Sequence, residues 1–247
     1  MGKEVRRYEI SLKTLEPFRI GAIEDPISNI NNPLATVGKR VVIQGPSLKG
    51  AFRAELEQYL IQDYPDNPEM KPCIPSSFKT LSEGERKLIK KGKYRENGSC
   101  VFSRRDRSES ICPVCYLLGA QGVVGFVRVP YLRTEEPPES LYSTRIDRAS
   151  STVAEGTNRD YQIIRDGIEF KSITPLEILL YDPAKDWALG KERDGFGDKW
   201  VRSDGWTQER ILKELIVDRL EHIEILGGFK SKGCGKVKIT LSSVSKD

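Results

Sequence analysis

Apolar residues recur at helical spacing in two stretches, Leu48, Phe52, Leu56 and Tyr59 after Ser47, and Ile211, Leu215, Leu220 and Ile223 after Thr207. Each stretch lies between segments that alternate apolar and polar residues, the mark of half-buried strands. Val5, Tyr8, Ile10, Leu12 and Leu15 alternate with one slip in a first strand, VVGFVRVPYL (123–132) and ITPLEILLYD (173–182) read as further strands, and KVKITLSSV reads as the last. Ser47 is the predicted N-cap of the first helix, and Thr207 opens the second. The order strand, helix, strands, helix, strand predicts an α+β chain with a ferredoxin-like βαββαβ core carrying large insertions. Residues 1–62 form its first half, with a long Pro-, Gly- and Asn-rich loop over 16–40. Residues 63–118 form an insertion broken by Pro65, Pro68, Pro72 and Pro75, and residues 119–247 complete the core.

Composition excludes several classes. No run approaches the roughly 18 apolar residues of a membrane-spanning helix, and the start, MGKEVRRYEISLKTLEPF, lacks an apolar core followed by a cleavage site, so a cytoplasmic, membrane-free protein is expected. His222 is the single histidine, which excludes paired-histidine acid–base chemistry and multi-histidine metal cages. Lys and Arg number 40 against 36 Asp and Glu, yet their placement is uneven. Residues 86–107 hold nine Lys/Arg and two acids, and residues 225–247 hold five Lys and one Asp. Two separated basic segments suit a polyanion better than a small ligand, against the plainer reading of a solvated charged surface.

Cys112 and Cys115 form a C-x2-C knuckle whose spacing lets two thiolates grip one tetrahedral ion. Cys73 and Cys100 lie upstream in the same insertion and complete a four-sulfur shell, so a structural zinc is expected to order a segment poor in apolar residues. The rival is a redox C-x2-C, which requires a helix N-terminus in a thioredoxin-like unit. Farther on, GGFKSKGCGK (227–236) sets four glycines and three lysines between the second helix and the last strand. Its amides and the Lys230, Lys232 and Lys236 charges suit a phosphate, whereas a Walker loop is excluded because Lys236 leads into a strand. A tight turn with solvated lysines is the alternative.

Taken in order, GPSLKGAFR (45–53), CPVCYLLG (112–119), RIDR (145–148) and GGFKSKGCGKV (227–237) resemble a RAMP-superfamily backbone subunit of type III CRISPR effector complexes. The resemblance spans nearly the whole chain. It implies a modified RRM-like ferredoxin core that assembles along a crRNA with copies of itself or related RAMP subunits and other effector subunits, and that recognises complementary target RNA. It also implies a zinc-stabilised lid and a β-hairpin thumb, here within about 143–170, where Arg145, Arg148, Arg159 and Arg165 fall. Position by position, the guide-binding residues it implies are Ser47, Lys49, Gly50 and Arg53, with Gly228, Lys230, Ser231, Lys232 and Gly233 from the glycine loop. Lys49 and Arg53 are four apart and share a helix face, although Arg53 can equally pair with Glu57. Arg145 and Arg148 are the implied thumb contacts.

Relatives that cut target RNA carry an aspartate in the loop after the first strand, in a stretch resembling I-D-N-P; this chain reads Ile30, Asn31, Asn32, Pro33. An amide at Asn31 neither accepts a proton as a base nor binds Mg2+ or another divalent cation as a carboxylate does. Asp25 is the nearest carboxylate in that loop. Three readings therefore compete: a guide-binding subunit with its cleavage position occupied by Asn31, an active metal-dependent endoribonuclease using Asp25 or a restored aspartate, and a crRNA-processing nuclease, which the late position of His222 disfavours. A zinc-bearing interaction protein is the residual reading.

Overall fold

The computed structural model describes residues 2–22, 32–75, 81–96, 99–105, 107–143, 146, 148–152, 159–203 and 205–244. Asp25, Asn31 and Arg145 lie outside them. In chain order the elements are β1 (Glu4–Thr14), β2 (Thr36–Val37), β3 (Arg40–Ile43), α1 (Gly45–Asp63), α2 (Glu83–Lys90), α3 (Pro113–Leu118), β4 (Val127–Arg128), β5 (Leu132–Arg133), β6 (Glu139–Ser143), β7 (Arg159–Ile163), β8 (Glu169–Ser172), β9 (Leu176–Asp182), β10 (Trp187–Ala188), α4 (Trp200–Ser203), α5 (Gln208–Arg210), α6 (Asp218–Glu221) and β11 (Val237–Ser243).

β1 is the centre of a mixed α/β fold. One of its edges pairs with β11, from Tyr8↔Ser243 to Thr14↔Val237. Its other edge pairs with β9 through its first half and with β8 through its second. β4 joins β9, and β5 joins β8 and then β3. All these pairs are antiparallel. Ile10, Leu12 and Thr14 point inward, as alternation requires. Buried Thr14 keeps its hydroxyl satisfied by donating to the Arg165 carbonyl at 2.9 Å and accepting from the Ile168 amide at 2.9 Å. The strand stops there, which leaves Leu15 largely exposed.

Three sequence expectations are adjusted. The strand expected over 123–132 is two short pieces, β4 and β5, because Pro130 between them has no N–H for a ladder. The first helix begins earlier than Ser47: Gln44 is its N-cap, and its carbonyl accepts from the amides of Ser47 (2.9 Å) and Leu48 (3.2 Å). Its buried stripe is Leu48, Phe52, Leu56 and Leu60, with Tyr59 half-buried. The second helix does start at Thr207, whose hydroxyl accepts from the Arg210 amide, but it is π-helical from Ile211 to Val217. The five-residue step from Leu215 to Leu220 exceeds one α-turn, and the widened stretch, closed by Asp218 N–H to the Lys213 carbonyl, absorbs the extra residue and buries both.

Behind α3, Arg193 and Asp198 form a fully buried ion pair at 2.9 Å. The guanidinium lies 4.6–5.1 Å from the ring centres of Tyr116, Phe126, Trp187 and Phe196. Its Nη1 has no hydrogen-bond partner among the described residues, so the ring faces supply the remaining attraction. Asp198→Ala, which strands that cation, is expected to cost about 3–5 kcal/mol in denaturant unfolding; a loss below about 1 kcal/mol would show the rings suffice without the carboxylate.

Candidate metal centre and nucleic-acid interface

Cys73, Cys100, Cys112 and Cys115 are all buried, and their sulfurs lie within 4.8 Å of one another. Four thiolates around zinc at about 2.3 Å sit about 3.8 Å apart, so the set fits a closed tetrahedral site with no open position. Cys112 caps α3, and its sulfur accepts from the Cys115 amide at 3.4 Å. Hydrogen bonds from Cys100, Cys112 and Cys115, helped by the Arg53 charge, hold the Cys73 thiol far below its ordinary value, while burial raises Cys112. The helix N-terminus that a redox pair requires is thus present. Its sulfurs nevertheless converge with two others in the interior, which is the geometry of a metal clasp.

Every residue of α3 is buried, and the Tyr116 hydroxyl accepts from the Gly190 amide and donates to the Lys191 carbonyl, both at 3.1 Å. All four cysteines of the 63–118 stretch are therefore joined to the core, Cys112 and Cys115 through the fully buried α3. That insertion contains α2, which buries no residue, and a clasp at Arg95, whose guanidinium donates to the carbonyls of Lys71, Glu69 and Ser110. Arg95 belongs to the basic run over 86–107, so part of that run serves the insertion itself.

A groove of about 430 Å³ lies where α1 faces the glycine loop, lined by Ser47, Gly50, Ala51 and Ala54 on one side and Gly227, Gly228 and Lys230 on the other, with Ile20 and Gly21 at its end. Two motifs 180 residues apart in sequence thus form opposite walls. Of the first-turn amides of α1, those of Ser47 and Leu48 bond the Gln44 carbonyl and Pro46 has none. The exposed turn Lys230–Lys232 supplies charge. Gly227 is obligatory: its φ is +90°, and a Cβ there would run into the Arg19 carbonyl. Gly50 is not constrained in this way, because a Cβ there meets nothing within 4 Å.

Lys49 opens instead on a second cleft with Lys3, Arg128 and Tyr131, and Arg53 turns to the cysteines. Ser231, Lys232 and Gly233 are exposed beside the first groove, and Arg148 is exposed beyond β6. A hairpin of β6 paired with β7, from Glu139↔Ile163 to Ser143↔Arg159, starts ahead of the stretch 143–170 expected for a thumb, with only its second strand inside it.

Arg19, buried, is a site residue that sequence reasoning missed. Its Nη1 donates to the carbonyls of Asn32 (2.6 Å) and Gln162 (2.9 Å), its own carbonyl accepts from the Gly228 amide (2.8 Å), and its guanidinium lies 5.3 Å from the Phe229 ring. One residue thereby ties the loop after β1, the hairpin strand β7 and the glycine loop together. Phe229 takes a left-handed backbone (φ 59°), with its ring edge-on to Tyr161 at 4.9 Å and Lys232 over its face. An arginine in a Pro/Gly-rich loop has no sequence signal that separates it from a solvated one.

Fold and site together define a mixed α/β protein with an antiparallel sheet and a four-cysteine centre built into it. The RAMP superfamily model matches residues 11–238, and the chain belongs to that superfamily. It is 25% identical over 238 residues to the CRISPR system Cms endoribonuclease Csm3 of Methanocaldococcus jannaschii, an alignment covering 91% of this chain and 71% of that protein. No helix among the described residues is long and apolar enough to cross a membrane.

Proposed function

We propose that this protein is a crRNA-binding backbone subunit of a type III CRISPR ribonucleoprotein, acting in the cytoplasm, assembling with copies of itself or related RAMP subunits and recognising complementary target RNA. The observation that carries this reading is the groove in which Ser47 and Gly50 face Gly228 and Lys230. Its walls are small residues and its charges are lysines, which suits a sugar–phosphate backbone and reads no base. The strand order β11, β1, β8/β9, β4/β5, antiparallel throughout, supports the ferredoxin-like assignment. The β6–β7 hairpin, with Leu141, Tyr142 and Ile146 exposed at and beyond β6, supports the thumb, since exposed apolar residues in a cluster mark a contact surface. Cys73, Cys100, Cys112 and Cys115 are the residues that would hold zinc, which supplies structural cross-linking. An active, divalent-cation-dependent endoribonuclease using Asp25, or an aspartate restored at position 31, is the second reading, favoured by the activity in the relative's name.

Two experiments test the groove. Removing the charges of Lys230 and Lys232 by alanine substitution is expected to weaken all guides alike and to reduce the slope of log affinity against log salt by about 1.4, two phosphate contacts on a single strand. Gly50→Ala separates fold from function: the methyl fills open space in a helix, so stability should rise by roughly 1 kcal/mol, while guide affinity falls about tenfold (~1.4 kcal/mol). Unchanged guide binding by both variants in a gel-shift titration would remove the groove from the RNA path.

A further inference from the structure

Arg53 leaves α1 toward the cysteines, with its side chain only 17% exposed and its Nε 2.7 Å from Glu57 Oε1. Nη2 donates to the Cys73 carbonyl at 3.0 Å and lies 3.6 Å from Cys73 Sγ, and Nη1 lies 3.8 Å from Cys115 Sγ. The four sulfurs divide in two. Cys100 and Cys112 each accept a backbone amide at 3.4 Å, from Cys112 and Cys115 respectively. Cys73 and Cys115 are each reached by the guanidinium. Glu57 also accepts from the Tyr94 hydroxyl at 3.3 Å, so the carboxylate paired with Arg53 is itself held from the insertion.

We propose that Arg53 is the outer-sphere counter-charge of the four-thiolate centre, a positioning residue that secures the metal from α1 rather than a contact to RNA. The inference rests on the zinc reading of the cysteines. Four thiolates around a divalent ion leave a doubly negative group in the interior, and such a group is held by donors to its sulfurs as much as by the metal–sulfur bonds. Arginine suits the task because one planar fork reaches Glu57 with Nε and two different sulfurs with its terminal nitrogens. Lysine, with a single ammonium, cannot span all three. The arrangement also makes α1, one wall of the groove, part of the metal's support.

The test measures zinc release to a colorimetric chelator from the full chain and, separately, guide affinity in excess zinc. Arg53→Gln is expected to release zinc 10–100-fold faster than wild type, Arg53→Lys to fall between, and guide affinity in excess zinc to stay within twofold for both. Glu57→Gln, which keeps the guanidinium and removes its orienting partner, is expected to shift release in the same direction by less; it covers the case in which Arg53→Gln fails to fold. Zinc release unchanged in all three variants overturns the proposal, as does a tenfold loss of guide affinity with zinc fully retained, which returns Arg53 to the RNA surface. Wild-type protein that carries no zinc overturns the reading of the cysteines and this proposal with it, an outcome visible before any variant is made.

Discussion

Removing zinc from the four-cysteine centre is expected to release the segment from Tyr64 to Ile111 and to lower the chain's stability by about 5 kcal/mol or more, on the order of 10–20 °C in melting temperature for a chain this size. The size follows from how little else holds the segment. Among its described residues the helix α2 buries no side chain, and the buried apolar anchors are few, Met70, Ile74, Leu81 and Ile111 among them. The loss also reaches inward, because Cys112 and Cys115 open α3, whose residues are all buried. A chelator series followed by circular dichroism and limited proteolysis reads both effects: the melting transition shifts and cleavage appears within the segment. Cys115→Ser should reproduce the chelated state without chelator. A melting curve unmoved by chelator, from protein shown to have carried zinc, means that the insertion folds on side-chain packing and the Arg95 clasp, not on the metal.

What the sequence made legible follows the kind of physics that wrote each feature. Local rules wrote the strands at 4–14 and 237–243, the helix stripe at Leu48, Phe52 and Leu56 and the Thr207 cap, and alternation, periodicity and capping were enough to read them. The four cysteines were legible as a set because thiolates have few other uses in such a spacing. Long-range choices left weaker marks. GPSLKGAFR reads as one RNA-facing unit, yet rotation about the helix sends Ser47 and Gly50 to the glycine loop, Lys49 to another cleft and Arg53 to the sulfurs. Two residues four apart share a face, but side-chain length decides what each one reaches. The π-helical stretch was recorded only as a five-residue step that a regular helix does not hold. Arg19 carries no local signature, since its partners Gln162 and Gly228 lie far away in the chain, and Arg193 pairs with Asp198 only five residues on but is set among the distant Tyr116 and Phe126 rings.

Asn31→Asp is expected to convert a chain that binds complementary RNA without cutting it appreciably into one that cuts at regular intervals in the presence of magnesium, with a rate gain of about 10²–10⁴. Position 31 precedes Asn32, which is firmly held: its carbonyl accepts from Arg19 Nη1 at 2.6 Å and from the Gln162 amide at 3.1 Å, and its side-chain amide donates to the Asp160 carbonyl at 3.2 Å. A carboxylate introduced next to so fixed a residue inherits an anchored backbone on its C-terminal side, and anchoring is what separates a catalytic group from a surface acid. In the chemistry proposed, the aspartate takes the proton from an RNA 2′-hydroxyl, the freed oxygen bonds to the neighbouring phosphorus as its bond to the 5′-oxygen breaks, and that oxygen takes a proton from water, giving a 2′,3′-cyclic phosphate and a 5′-hydroxyl end. A divalent cation, when bound, would supply counter-charge to the phosphate. On this proposal Asn31, with an amide of the same shape, would permit binding and withhold the base. The assay is cleavage of labelled target by the subunit assembled with its guide, and the end groups identify the route, since hydrolysis leaves no cyclic phosphate. Arg19→Ala placed on the Asn31→Asp background should lose most of the gain while guide affinity changes little, because it frees the loop that carries position 31. Efficient cutting by the unaltered chain, abolished by Asp25→Ala, moves the base to Asp25 and leaves Asn31 as an ordinary loop residue.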